Sequence, residues 1–381
     1  MRILIATETA GGGHLAAAAA LEEAWLALRP KDTVERLDLV KLFSPLHKKI
    51  HAAGYEKLVA RAPEVWGMIF TKTDDPKVAR RLNRIKALFP SRARRRFEKY
   101  LSEFKPDVVL CTHYEPVEAL GQMRRKQKSK AKPPFVVSIV TDFEAHALWM
   151  DADVDLYSVA AEETKARLVA RGATADNVVA TGIPIGAKFA TKADARAVRK
   201  TMGLRDDLPT LLVLSGGFGM GPVGKILTAL DKVTGTFQTV VVCGRNEELR
   251  RDLAAQDRKH PTRVLGFASN MHELMTVADL ILTKPGGLTS SEALALGKPL
   301  FILDPIPGQE AANSDFLLER GAATKVNRME DLPFRIEQLL GSRKLGEMAK
   351  AAKALGRLKS AEAVCKEVLA RIKTGTERLP K

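Results

Sequence analysis

Cysteine is scarce in this chain: Cys111, Cys243 and Cys365 are its only three, far apart and without C-x-x-C spacing. That excludes a disulfide scaffold, argues against a metal cluster and fits a reducing compartment. Aromatic residues make up 6% of the sequence, too few for base-stacking platforms, so no nucleic acid is expected as a partner. No uninterrupted run of about 18 apolar residues occurs, the length a spanning helix requires. The apolar start of "MRILIATETAGGG" is too short for a signal peptide. Acidic residues are outnumbered, 45 against 61 Lys and Arg, leaving a formal charge of +16. A polyanionic neighbour follows, and with nucleic acid set aside it is an anionic membrane surface met from outside.

What is present is length and alternation. At 381 residues the chain exceeds one ordinary core, and two domains are expected. Short β-rich runs ("RILIAT", "TVERLDL", "PDVVLCT", "FVVSIVTD", "VDLYSVA", then "TLLVLSGG", "TVVVCG", "DLILTK", "KPLFILD") alternate with amphipathic stretches. That rhythm predicts α/β structure with parallel sheets covered by helices, in two Rossmann-like domains. The punctuation of Thr181 to Asp207 places the boundary, giving domains 1–187 and 188–359 and a helix with a tail over 360–381. Lys41 to Tyr100 breaks the rhythm. Leu58, Val65, Trp66, Ile69 and Phe70 recur at helical spacing among Lys48, Lys49, Arg80, Arg81, Arg84 and the "SRARRRFEK" run. Such a stretch suits anionic headgroups, with Arg94, Arg95 and Arg96 as membrane contacts; a solvated helical face over a core is the other reading.

Three glycine-rich turns follow strands. "TETAGGGHLAAAA" puts Gly12, Gly13 and His14 before a helix, and glycines there bring backbone amides close to an anion. Gly11, Gly13 and Ala16 also fit a loose dinucleotide pattern, with Glu35 and Asp38 downstream. "LLVLSGGFGMG" (Ser215, Gly216, Gly217, Gly219) is a second phosphate-sized cradle. "DLILTKPGGLTSSEALALGKPLFIL" is the third, with Pro285, Gly286 and Gly287 at the turn and Gly297 at the helix end. Thr289 and Glu292 make a T-x-x-E capping box; alternatively the Glu292 carboxylate accepts from ribose hydroxyls. Gln309, Glu310 and Asn313 in "PIPGQEAANSDFL" suit a polyhydroxyl ligand, or else cap and complement a helix. Asp151, Asp153 and Asp155 in "DADVD" mimic a metal motif, but a calcium loop would need glycine where Leu156 stands, so no metal is assigned.

From His14 onward the chain resembles the GT-B glycosyltransferases that include plant monogalactosyldiacylglycerol synthase and, more closely, the bacterial processive diacylglycerol glucosyltransferases. The peptidoglycan relative MurG is more distant. "GGGH", the stretch Thr141 to Ala173, "TGIPI", "LGFASNM", "TKPGG" with "SEALALGKP", and "PGQEAAN" carry the likeness in order. The resemblance implies two Rossmann-like domains facing across a cleft, with the C-terminal helix packing back toward the first. The second domain would hold a UDP-sugar, with Gly266 and Phe267 at the uracil and Glu292 at the ribose. The turns Gly216 to Gly219 and Pro285 to Gly287 would meet the diphosphate, and Gln309 and Glu310 the sugar. His14 would be the general base on the acceptor side, Asp142 and His146 would orient it or the acceptor, and Trp149 would form an apolar wall; core or capping positions are the alternative for these last three.

The leading expectation is an inverting transferase moving a hexose from a UDP-sugar to diacylglycerol, without metal or other cofactor. It would be cytoplasmic and peripheral to the inner face of the cell membrane. The alternatives are another lipid acceptor (a lipopolysaccharide or polyprenyl intermediate) and a UDP-sugar epimerase of the same fold. An NAD-dependent oxidoreductase and a non-enzymatic UDP-sugar sensor leave more of the motifs unused.

Overall fold

A computed structural model describes residues 1–9, 12–43, 62–88, 92–126, 133–216 and 221–377 of the chain. It divides into two compact units. Met1–Ala187, Pro307–Gln309 and the segment from Lys359 onward form one; Lys188–Ile306 and Glu310–Leu358 form the other.

The first unit is built on strands β1 (Arg2–Thr7), β2 (Thr33–Asp38), β3 (Val108–Cys111), β4 (Phe135–Ile139), β5 (Leu156–Val159) and β6 (Val178–Ala180). They form one parallel sheet in the order β2-β1-β3-β4-β5-β6. Strands covered on both faces must be apolar along their length rather than alternating. In β1, Ile3 and Ile5 face a core with Leu21 and Trp25 of the first helix (Gly12–Leu28). Leu4 and Ala6 face the opposite core, with Phe97, Leu101 and Val109. The C-terminal helix (Ser360–Glu377) supplies Val364, Cys365 and Val368 to the first of these cores, all fully buried, so it packs back on the first helix as expected. Burial pushes the Cys365 thiol up to about 12, which makes it a packing residue rather than a reactive one.

The second unit repeats the scheme with β7 (Thr210–Leu214), β8 (Gln238–Val242), β9 (Thr262–Leu265), β10 (Leu280–Thr283), β11 (Leu300–Leu303) and β12 (Ala323–Val326). Its parallel order is β12-β11-β10-β7-β8-β9. Leu211, Val213, Val241, Leu282 and Phe301 fill one core with Ile226, Leu230 and Ile336. The three aspartates of "DADVD" are held by guanidinium groups: Arg125 reaches Asp151 and Asp153 at 2.7 and 2.5 Å, and Arg124 reaches Asp155 at 2.6 Å.

Candidate active site

Each sheet reverses its strand order once, and the glycine turns gather at those reversals. Loops on either side of a reversal diverge to opposite faces and leave a crevice at the carboxyl ends of the strands. In the first sheet the reversal lies between β1 and β3. In the second it lies between β7 and β10, the two strands that feed the Ser215–Gly216 turn and the Pro285–Gly287 turn.

His14 is the third residue of the first helix, which Gly12 and Gly13 open. A Cβ on Gly12 would meet no protein atom within 4 Å, so its glycine leaves room at the strand ends. The His14 Nδ1 lies 2.8 Å from the Thr112 carbonyl oxygen and 3.0 Å from the Thr141 hydroxyl. A carbonyl only accepts, so Nδ1 carries the proton and Nε2 keeps its lone pair. Burial, then the neighbouring His113, drives His14 down to about 4, against the opposite pull of Asp142 and the Thr112 carbonyl. The imidazole is neutral at pH 7. The buried Trp149 ring stands behind it, with centroids 6.4 Å apart.

His146 has a different employment from the one expected of it. Its Nδ1 accepts from the Leu148 amide at 3.1 Å, capping the turn Ala147–Trp149, and its Nε2–H donates to the Phe70 carbonyl at 2.9 Å. Asp74 reinforces this brace, accepting from Arg171 at 2.7 and 2.6 Å and from the Ala147 amide at 2.9 Å. His146 therefore fixes the segment after β4 to the helix Pro63–Thr73. The capping alternative describes it better than orientation of the base.

In the second unit Ser215 donates to the Val242 carbonyl at 2.8 Å, tying the end of β7 to β8. Gly216, with φ +77°, turns the chain out of the strand in a conformation that favours glycine. Gly217 and Gly219 lie outside the described residues. Gly286 (φ −64°, ψ 139°) is in a conformation open to any residue, and a Cβ there would meet nothing within 4 Å. Nothing in this chain's own packing requires glycine there; its effect is open space before the amides of the helix Gly287–Ala295.

That helix corrects the capping-box reading. Gly286 is its N-cap and Gly287 its first residue, so Thr289 stands inside the first turn and cannot cap it. At the other end Gly297 adopts φ +64° while Gly297 and Lys298 amides return to the carbonyls of Leu294 and Ala293, the helix stop expected of it. Among the described residues no hydrogen bond reaches the Glu292 carboxylate; burial raises its carboxyl to about 7, opposed by the charge of Lys188. Lys188, which sequence reasoning passed over, donates to the Ser269 carbonyl at 2.8 Å.

Gly266 ends β9 with Glu247 and Arg250 where a Cβ would stand, while the neighbouring Phe267 ring is exposed under the Arg245 guanidinium. Gln309, Glu310 and Asn313 share the first turns of the helix Gln309–Glu319. The Glu310 carboxylate accepts from the Ile306 amide at 2.8 Å, a local bond of the kind the helix-capping alternative requires. Asn313 is fully buried, which makes it a support of this turn.

Residues 14–185 match the family model described as monogalactosyldiacylglycerol (MGDG) synthase, and residues 212–367 that of the glycosyltransferase family 28 C-terminal domain. The processive diacylglycerol beta-glucosyltransferase of Bacillus licheniformis is 31% identical over 370 residues, 96% of this chain and 94% of the relative. That of Bacillus cereus is 31% identical over 376 residues, 97% and 93% of the two chains. Among solved structures, Acinetobacter baumannii MurG superposes with a TM-score of 0.60 at 16% identity, covering 97% of this chain and 99% of MurG. The UDP-GlcNAc 2-epimerase of Neisseria meningitidis gives 0.62 at 16%, covering 97% and 100%. These structures share the expected α/β fold, and the sequence relatives carry the assignment further. The chain belongs to the glycosyltransferase family of the monogalactosyldiacylglycerol synthases and the processive diacylglycerol glucosyltransferases.

Proposed function

We propose that this protein transfers a hexose, glucose or galactose, from a UDP-sugar to diacylglycerol, with inversion, at an anionic membrane surface. The names of its Bacillus relatives support the acceptor. The observation that carries the chemistry is the tautomer of His14, whose Nδ1–H is committed to the Thr112 carbonyl. Its Nε2 takes the proton of the acceptor hydroxyl as that oxygen attacks the anomeric carbon. The bond from that carbon to the diphosphate oxygen breaks, and UDP leaves with the electron pair. The Gly216 turn and the N-terminus of the helix Gly287–Ala295 offset the leaving group's charge with amides and helix dipole. Glu292 receives the ribose hydroxyls, the backbone at Gly266 and Phe267 the uracil, and Gln309 with Glu310 the sugar.

Exposed apolar side chains support the membrane contact beyond the arginines the sequence singled out. Arg94 pairs with Glu98 at 3.2 Å and Arg96 donates to the Leu42 carbonyl at 2.8 Å, so both also hold the helix Arg92–Phe104 in place, while Arg95 and Arg96 are exposed on it. Val65, Met68 and Ile69 are exposed on one face of the helix Pro63–Thr73, as are Val78, Leu82 and Ile85 on the helix Pro76–Leu88. Lys72, Lys77, Arg80 and Arg81 are exposed on the same helices. Apolar side chains amid cations are what an anionic bilayer interface accepts, and no helix among the described residues is long and apolar enough to cross it.

Radiolabelled UDP-glucose and UDP-galactose, supplied separately with diacylglycerol in anionic vesicles, test this reading by thin-layer chromatography. A labelled glycolipid is expected from one of them. UDP binding with no labelled lipid overturns the acceptor, and an isomerised UDP-sugar overturns the transferase in favour of an epimerase.

A further inference from the structure

Two buried ionisable side chains beside His14 have no part in the steps above. Glu8, 1% exposed, follows β1; His113, 6% exposed, follows β3. They meet at the reversal of the first sheet, with the His113 Nδ1 3.0 Å from the Glu8 carboxylate. A carboxylate is rarely this buried unless a partner compensates its lost hydration. The His113 ring is T-shaped to that of His14, with centroids 5.0 Å apart, and Thr112, whose carbonyl fixes the His14 tautomer, directly precedes His113 in the chain.

We propose that Glu8 and His113 form a buried ion pair that keeps His14 uncharged as the acceptor-activating base. This rests on the reading of His14 above. The Glu8 Oε2 lies 3.0 Å from His113 Nδ1 without a hydrogen bond to it, so Glu8 acts by its charge, which favours protonation of His113; the resulting cation, about one ring-width from His14, disfavours a second positive charge there. The Glu115 amide donates to His113 Nδ1 at 3.4 Å, a long bond that belongs to the neutral ring; the nearer carboxylate, 3.0 Å away, favours the cation over it. The groups around the two rings are Glu8 from the end of β1, Tyr114 beside His113, and Asp142 from the segment after β4. Asp142 attracts a proton to His14, so the charge on His113 must outweigh it. Glu8 and His113 are positioning residues: neither is placed at the reacting atoms.

Two measurements test the pair on the full-length chain. The first is a nitrogen-15 NMR titration of labelled histidines, assigned by His14→Gln and His113→Gln variants. At pH 6 His113 is expected to be protonated on both nitrogens while His14 is a neutral Nδ1–H tautomer. A neutral His113 at that pH overturns the proposal whether or not the protein transfers sugar. The second is the acid limb of kcat/KM in Glu8→Gln and His113→Gln. With the cation removed, protonation of His14 becomes easier, so the limb moves to higher pH by roughly one to two units, the size of a unit charge about one ring-width away. KM for the UDP-sugar stays unchanged. A uniform loss at all pH values with the limb in place would mark the two residues as structural and sink the idea. Should either variant not fold, the wild-type titration decides.

Discussion

At the residue scale, the His14 arrangement and the Glu292 environment give predictions that separate chemistry from binding. His14→Ala removes Nε2 without touching the second unit. Transfer is expected to fall roughly 10²- to 10⁴-fold, the usual worth of a general base, with UDP affinity by calorimetry unchanged. Equal transfer would remove His14 from the mechanism. Glu292 gives a pH dependence with a definite sign. Its carboxyl is raised to about 7, mainly by burial, so much of it is protonated below neutrality. Ribose hydroxyls donate best to the ionised form, so UDP affinity is expected to rise as pH climbs from 6 to 8. Glu292→Gln should flatten that rise; a slope that survives the substitution assigns it to another group.

At the element scale, the N-terminus of the helix Gly287–Ala295 sets stability against function. Aspartate is among the best N-cap residues, and Gly286 is the N-cap in an ordinary conformation with empty space around its Cβ position. Gly286→Asp is therefore expected to leave thermal stability equal or higher while its carboxylate repels a diphosphate and weakens UDP binding by at least about tenfold. A variant that binds UDP normally would move the diphosphate elsewhere. The strands were largely legible in the sequence for the reason that makes them central: "ILIA" within β1 and "LLVL" within β7 are unbroken apolar runs because both faces are covered. The three that escaped notice, β6, β9 and β12, all stand at sheet edges. The β9 run "TRVL" is half-exposed and has no apolar run to announce it. The glycine turns were legible as cradles, but which end of a T-x-x-E pattern starts a helix is set by the preceding turn, and Pro285–Gly286 starts this one before Thr289. Glu8 and His113 were hidden for another reason. Their partnership joins residues 105 positions apart, and only the adjacency of β1 and β3 creates it.

At the scale of the whole molecule, most of the formal charge of +16 falls between Lys41 and Tyr100, where 16 Lys and Arg stand against 5 Asp and Glu, and the same stretch carries the apolar stripe. Met68→Ser, Ile69→Ser and Ile85→Ser together remove three exposed apolar side chains from the two helices. Sedimentation with anionic vesicles is expected to fall at least about tenfold, with UDP binding intact. The loss should persist at high salt, which screens the lysine and arginine contribution but not the apolar one. Unchanged sedimentation would return the membrane contact to the basic residues. The docking of the C-terminal helix has a consequence for how the protein is made. Trp25 and Leu21 share their core with Val364 and Val368, which leave the ribosome after the entire second unit. The unit begun first is thus finished last, and during synthesis it waits with an open apolar face while its successor folds. Chaperones that hold nascent apolar surface should find this protein there.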